Sequence, residues 1–134
     1  ILYAGTYDGL ARWDSTDKVF KKVNIPEYEK TSNNLFVNCL LETSDHQYIY
    51  VGTEGNLYCY TPMTGTWEKN AYVNGNNIKS LTQSDNGHLL VGTDNGVFDL
   101  SGNNVKQYFH DSRQEQTLSN NEIWCIHSDN TNNV

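Results

Sequence analysis

One octapeptide recurs three times in this chain. Tyr3-Ala4-Gly5-Thr6-Tyr7-Asp8-Gly9-Leu10 returns as Tyr50-Val51-Gly52-Thr53-Glu54-Gly55-Asn56-Leu57, and again as Leu90-Val91-Gly92-Thr93-Asp94-Asn95-Gly96-Val97. The Gly-Thr pairs stand 47 and then 40 residues apart. A second phrase precedes each of the later copies: Val37-x-x-Leu40, then Ile78-x-x-Leu81, and once more Ile123-x-x-Ile126-x-x-Asp129. Gly92 follows Ile78 by 14 residues, so the same spacing predicts a fourth Gly-Thr near position 137, just past Val134. Such a period constrains the fold more than composition does. Each repeat is one supersecondary unit that buries its apolar face only by stacking on its neighbours.

Within one period the residues read as four short strands. In the third copy Ile78 to Thr82 alternates apolar and polar residues, and Ser84-Asp85-Asn86-Gly87 is a hairpin turn, expected as type I′ because Asn-Gly supplies positive φ. His88 to Gly92 is the second strand. Asp94-Asn95-Gly96 turns the chain, Val97 to Leu100 forms the third strand, and Val105 to Phe109 the fourth after Ser101-Gly102-Asn103-Asn104. The second copy follows suit with Tyr58-Cys59-Tyr60, the turn Pro62-Met63-Thr64-Gly65, and Trp67 leading its last strand. It carries one extra residue between Val37 and Gly52. Asn56 stands where Gly9 and Gly96 stand, and a left-handed conformation is expected there, since Asn tolerates it best after Gly. Glu27 to Asn34 and His110 to Thr117 read as surface loops between units.

Four antiparallel strands in 40 to 47 residues is the pattern of a β-propeller blade. The expected fold is all-β: a β-propeller fragment of about three four-stranded antiparallel blades. The units fall at about 1–36, 37–77 and 78–122, with 123–134 opening a further blade and Ile123 to Ile126 as its inner strand. Propellers close with roughly four to eight blades, so further blades or a second copy of the chain are expected to cover the open ends.

Composition excludes several classes. With 9 basic against 16 acidic residues and a formal charge of -7, the chain offers no phosphate-neutralising surface, so nucleic acid is not an expected partner. No apolar run approaches the length of a membrane helix, and Ile1 opens in a strand-like stretch without the basic start of a signal peptide. Cys39, Cys59 and Cys125 lack CxxC spacing and are odd in number, which argues against zinc, redox and disulfide roles. They are expected as buried thiols packing as small hydrophobes.

The phrase Leu118-Ser119-Asn120-Asn121-Glu122-Ile123-Trp124-Cys125-Ile126-His127-Ser128-Asp129, together with (V/A)-Gly-Thr-x-x-Gly-Leu and the aromatic strand after it, resembles the two-component regulator propeller repeat. The Trp that family places before (I/V)-Gly-Thr is Tyr3, Tyr50 and Leu90 here. The resemblance implies the periplasmic sensor domain of a hybrid two-component histidine kinase. It further implies a long parent with two seven-bladed propellers, an immunoglobulin-like domain, a membrane helix, and kinase and regulator modules. The ligand implied is an oligosaccharide released from a complex glycan. The phrase marks the scaffold and carries over no ligand-contacting residue.

No catalytic, cofactor or metal site is expected. His46, His88, His110 and His127 fall at unrelated positions and form no Cys-His, Ser-His or metal spacing. Asp129-Asn130-Thr131-Asn132-Asn133 has oxygen side chains but lacks the Gly and distal Glu of a calcium loop, and reads as a turn. Ser119-x-x-Glu122 matches a capping box, yet Ile123-Trp124-Cys125-Ile126 favours strand. Most carboxylates (Asp8, Asp14, Asp17, Glu54, Asp85, Asp94) sit in turns, where Asp is favoured for backbone reasons. Aromatic rings are what sugar recognition uses, so Tyr7, Trp13, Trp67 and Trp124 are the candidate ligand-binding residues, against a general role in packing between blades. Two other readings remain: a fragment of a propeller glycosidase or polysaccharide lyase with carboxylates drawn from separate blades, or a protein-interaction propeller.

Overall fold

The computed structural model describes residues 1–129, less the side chains of residues 28, 32 and 33. Among the described residues eleven strands form three antiparallel sheets. The first holds β1 (Tyr3–Thr6), β2 (Gly9–Asp14) and β3 (Val19–Val23), in that order. The second runs β4 (Val37–Glu42), β5 (Ile49–Thr53), β6 (Leu57–Thr61), β7 (Thr66–Lys69). The third runs β8 (Ile78–Gln83), β9 (Leu89–Thr93), β10 (Gly96–Ser101), β11 (Asn104–Tyr108). The only helical pieces among the described residues are a 3₁₀ turn at Glu27–Glu29 and α1 (Ser32–Leu35).

The repeat has a physical explanation at both of its residues. The Thr closes the hairpin that follows it. Thr53 Oγ1 donates to Asn56 O at 3.0 Å and accepts from the Asn56 amide at 3.0 Å; Thr93 Oγ1 donates to Gly96 O at 2.8 Å, and Thr6 Oγ1 to Gly9 O at 2.9 Å. The Gly allows two strands to approach. A Cβ on Gly52 would lie 2.5 Å from Cys39 Sγ, on the neighbouring strand, and 2.5 Å from Ile78 Cγ2, on the next sheet. Gly5 meets Val37 and Gly92 meets Ile123 in the same way. The second phrase is therefore the knob of one unit, and the Gly of Gly-Thr is the hole in the unit before it.

The apolar core lies at these joints. Leu10, Ile25, Ile49, Val51, Tyr58 and Tyr60 fill the space between the first and second sheets. Leu57, Val73, Ile78, Leu89, Val91 and Phe98 do the same between the second and third. β5 and β9 share one burial pattern, with residues 51–53 and 91–93 all buried. β4 and β8 also share an irregularity: the pairing slips after Val37↔Thr53 and after Ile78↔Thr93, leaving Asn38 and Lys79 as bulge residues.

Several expectations from the sequence need correction. The Ser84–Gly87 hairpin is not type I′, which needs positive φ at both central residues. Positive φ occurs at Gly87 (84°) and not at Asn86; Gly87 N donates to Ser84 O at 2.8 Å, giving a longer loop with Gly in the left-handed position. In the second sheet His46 takes that role at φ 60°, and the loop closed by Thr43 N to Tyr48 O holds the extra residue of that repeat. Asn56 is not left-handed. Its side chain instead donates to Asn34 Oδ1 at 2.7 Å. Cys125 is exposed and Cys39 and Cys59 are half-buried; all three are free thiols. Burial pushes the Cys39 thiol up to about 12. Ile123 to Ile126 forms no ladder with any described strand, although the Ile123 amide donates to Thr93 O at 2.9 Å. The turn expected at Asp129 to Asn133 lies, past its first residue, outside the described residues.

Glu27 to Asn34 is not a surface loop. Pro26 and the short turns fold it inward, and Glu29 and Asn34 are buried. Glu29 accepts from the Tyr58 hydroxyl at 2.8 Å and from Asn34 Nδ2 at 3.3 Å, and pairs with Lys69 Nζ at 3.2 Å. Asn34 passes the network on to Asn56. The segment thereby straps the first sheet to the second with polar contacts at the edge of an apolar joint. Glu29→Ala removes the acceptor of a buried hydroxyl, a loss of about 1–3 kcal/mol. Lys69 is half-exposed and recovers hydration, so the full penalty of a stranded buried charge does not apply. Urea titration should place Glu29→Ala in that range and Glu27→Ala, whose side chain is mostly exposed, near zero.

Candidate functional site

The four candidate aromatics do not converge. Tyr7 sits in the β1–β2 turn, 82% exposed, edge-on to Phe36 at 5.3 Å. Trp124 is 74% exposed, with Lys79 Nζ 3.8 Å from its ring centroid and the same ammonium 2.7 Å from Glu122 Oε1. Trp67, on β7, packs edge-on to Tyr58 at 5.9 Å and tilted on Tyr60 at 4.8 Å. One edge of Trp67 still lines a cleft of about 540 Å³ with Asn24, Ile25 and Lys30. Trp13, on β2, lies edge-on to Phe20 at 5.1 Å and lines a cleft of about 730 Å³.

The Trp13 cleft is the one with the chemistry of a polar-ligand site. It runs across the joint of the first two sheets, from Arg12, Trp13 and Asp14 on β2 to Tyr60 on β6. Strand alternation sends Arg12 and Asp14 to the face opposite Trp13, and Lys21, opposite Arg12 on β3, reaches over Asp14 on that face. Asp14 accepts from Lys21 Nζ at 2.6 Å and from the amides of Thr16 and Asp17 at 2.9 and 3.0 Å. The ammonium and these amides hold its carboxyl down at about 2, and the same pairing raises Lys21. Asp14 is therefore ionised at any physiological pH. Tyr60 is continuous with Tyr3 (6.3 Å) and Trp67 (4.8 Å), so the back of the cleft rests on an aromatic run. The Arg12 guanidinium, the fixed Asp14 carboxylate and the Tyr60 ring around one opening can hydrogen-bond and stack on a polyhydroxylated ligand, while the Trp13 indole lies on the other face of the sheet with Phe20. They present no nucleophile–base pair.

Sequence reasoning singled out Trp13 but not its partners. Arg12, Lys21 and Tyr60 lie outside the repeated phrases, on β2, β3 and β6, so the repeat carries no signal for them. The buried Glu29 had no signal either, sitting in a run of polar residues. Among the described residues no group of three or more His, Cys, Asp or Glu could hold a metal ion, and no helix is long and apolar enough to cross a membrane. His88 and Asp99 approach at 3.2 Å.

Stacked antiparallel sheets joined through apolar seams, here with an open polar cleft at one of them, recur in solved structures. The chain is similar over 96% of its length to the extracellular domain of BT4673 from B. thetaiotaomicron. One structure of that domain, described as a one-component system, matches at 42% identity and a TM-score of 0.84. Another, described as a hybrid two-component system, matches at 41% and 0.85. The extracellular domain of the hybrid two-component system BT3049 from the same organism shares the fold at 22% identity and a TM-score of 0.74. The likeness to hybrid two-component sensors, and the placement outside the cytoplasm that it implies, are thus those expected from the repeat. The chain spans 17% of the length of the BT4673 domain. No family model and no curated protein matches the chain.

Proposed function

We propose that this chain is a run of propeller blades from the periplasmic sensor of a hybrid two-component histidine kinase, and that the sensor binds a glycan-derived oligosaccharide and signals across the membrane. The observation that carries this reading is the 41–42% identity over 96% of the chain to the extracellular domain of BT4673, described in one structure as that of a hybrid two-component system. The blades correspond to units of about 1–36, 37–77 and 78–122, with 123–134 beginning another. In this reading the fragment is a binding module without catalysis of its own, and kinase activity belongs to other parts of the parent.

The Trp13 cleft supports the oligosaccharide. A sugar ring resting on Tyr60, with hydroxyls on Arg12 and Asp14, would touch both sheets at once and so sense their relative position. Isothermal titration of the chain against a panel of oligosaccharides from plant and host glycans tests this. One class should bind, and Arg12→Ala should weaken it about tenfold, equivalent to about 1.4 kcal/mol. Release of reducing ends or unsaturated sugars from the panel would replace the sensor with the glycosidase or lyase reading. Absence of binding to every oligosaccharide would remove the ligand class.

A further inference from the structure

The joint between the first and second sheets differs from the joint between the second and third at one register position. Arg12 pairs with Tyr3 on β1 and with Lys21 on β3. The same position is Cys59 in the second sheet, opposite Tyr50 and Glu68, and Asp99 in the third, opposite Leu90 and Lys106. Across the first joint stand Tyr60 and its strand partner Trp67; across the second, Leu100 and Val105 hold those places. Each of these joints has both of its sheets in the chain. The first, with its cations and aromatic rings, is the one that opens into the cleft of about 730 Å³.

The charges in this cleft are set unfavourably. Cross-strand neighbours stand about 4.5–5.5 Å apart at Cβ, and like charges directly opposite destabilise a sheet. Arg12 and Lys21 are such a pair, whereas Asp99 and Lys106 carry opposite charges. Lys21 is compensated by Asp14 at 2.6 Å and Asp17 at 2.5 Å, and Lys22, the third cation of the cleft, by Asp8 at 2.9 Å. Arg12 is exposed, and among the described residues its guanidinium has no carboxylate partner and no hydrogen bond. The acids around it are engaged elsewhere. Asp14 accepts from Lys21 and two backbone amides, and Glu42, whose charge reaches Tyr3, is bonded to His46 Nδ1 at 2.8 Å.

We propose that Arg12 is the anion-recognition residue of this cleft, and that the oligosaccharide bound there carries a carboxylate or sulfate in place of a hydroxyl on the guanidinium. Arginine presents its donors as a rigid planar fork that matches two oxygens of such a group at once. The bound acid also relieves the repulsion between Arg12 and Lys21 that the empty cleft leaves in place. This inference rests on the oligosaccharide reading above and narrows it from polyhydroxylated sugars to acidic ones, uronates or sulfated sugars.

Isothermal titration of the chain with uronate and sulfated oligosaccharides, each beside its carboxyl-reduced or desulfated counterpart, tests the proposal. In at least one pair the acidic member should bind about tenfold more tightly, the margin of a charge-assisted over a neutral hydrogen bond, and that pair identifies the group as carboxylate or sulfate. Added salt should narrow the margin. Arg12→Gln keeps donors without the charge and should erase it; Arg12→Lys should keep part of it. The urea midpoint of Arg12→Gln should be unchanged or higher, because the cross-strand repulsion is gone. Equal affinity within every pair, or a margin that survives in Arg12→Gln, overturns the proposal and leaves the oligosaccharide reading standing. Binding of no oligosaccharide overturns both. A lowered midpoint in Arg12→Gln makes Arg12 a residue of the fold and overturns the proposal as well.

Discussion

Gly52→Val should lower the stability of this chain by about 3 kcal/mol or more, at the upper end of what overpacking a core costs. Strand propensity points the other way, since Val is favoured over Gly in a strand by up to about 1 kcal/mol. The sign of the measured change therefore decides between local preference and packing. Packing should win because the added Cβ alone would stand 2.5 Å from both Cys39 Sγ and Ile78 Cγ2, and 3.0 Å from Ile78 Cβ. Valine adds two methyls to a space without room for one carbon. Neither neighbour can retreat freely: Ile78 is 0% exposed and held in β8, and Cys39 lies in the ladder with β5. Chemical denaturation should show a lower midpoint with little change in slope. An unchanged midpoint would mean that the sheets slide apart at small cost and that the glycine is not what sets their spacing.

Removing the opposite half of that contact should also be costly. Ile78→Ala empties a fully buried position in the core between the second and third sheets, where Leu57, Val73 and Val91 surround it. Deleting such a side chain costs about 2–5 kcal/mol, depending on how far the site collapses. Gly52→Ala and Ile78→Ala should not add. With Gly52→Ala in place, Ile78→Ala removes the Cγ2 side of the clash that the new methyl creates, Cys39 Sγ remaining on the other side, so the double variant should be more stable than the sum of the single changes by about 0.5–3 kcal/mol. Exact additivity would show that Gly52 and Ile78 do not meet across the joint. Stability of this kind is spread along the stack, since each sheet leans only on its neighbours.

The parts of this structure that could be read in the sequence are those repeated in it. Gly-Thr recurs because each unit solves the same two problems: a hairpin needs its hydroxyl and a joint needs a hole. Ile78 and Ile123 recur because each joint needs a knob. Trp13 was named as a candidate from its residue type, but the cleft beside it was not legible, because it takes Tyr60 from a strand 47 residues away. Unreadable parts belong to single units. Glu29 looked like any polar loop residue until Tyr58, Asn34 and Lys69 closed around it, and Asn56 looked like a left-handed turn residue until Asn34 offered a better bond.

The same division explains the hairpins and the last strand. Asn86-Gly87 has the local preference for a two-residue turn, but the lengths of β8 and β9 and their shared bulge decide which residues must be paired, and the turn takes what is left. Ile123 to Ile126 has the residues of a strand, and a strand exists only when another offers its hydrogen bonds. By itself the sequence determined the repeat, its all-β character, its resemblance to sensor domains and the residues that join one unit to the next, because these follow from local periodicity and side-chain size. The tertiary structure alone decided which polar groups are buried together and where the clefts open. Those depend on contacts between residues far apart in the chain, and no local pattern records them.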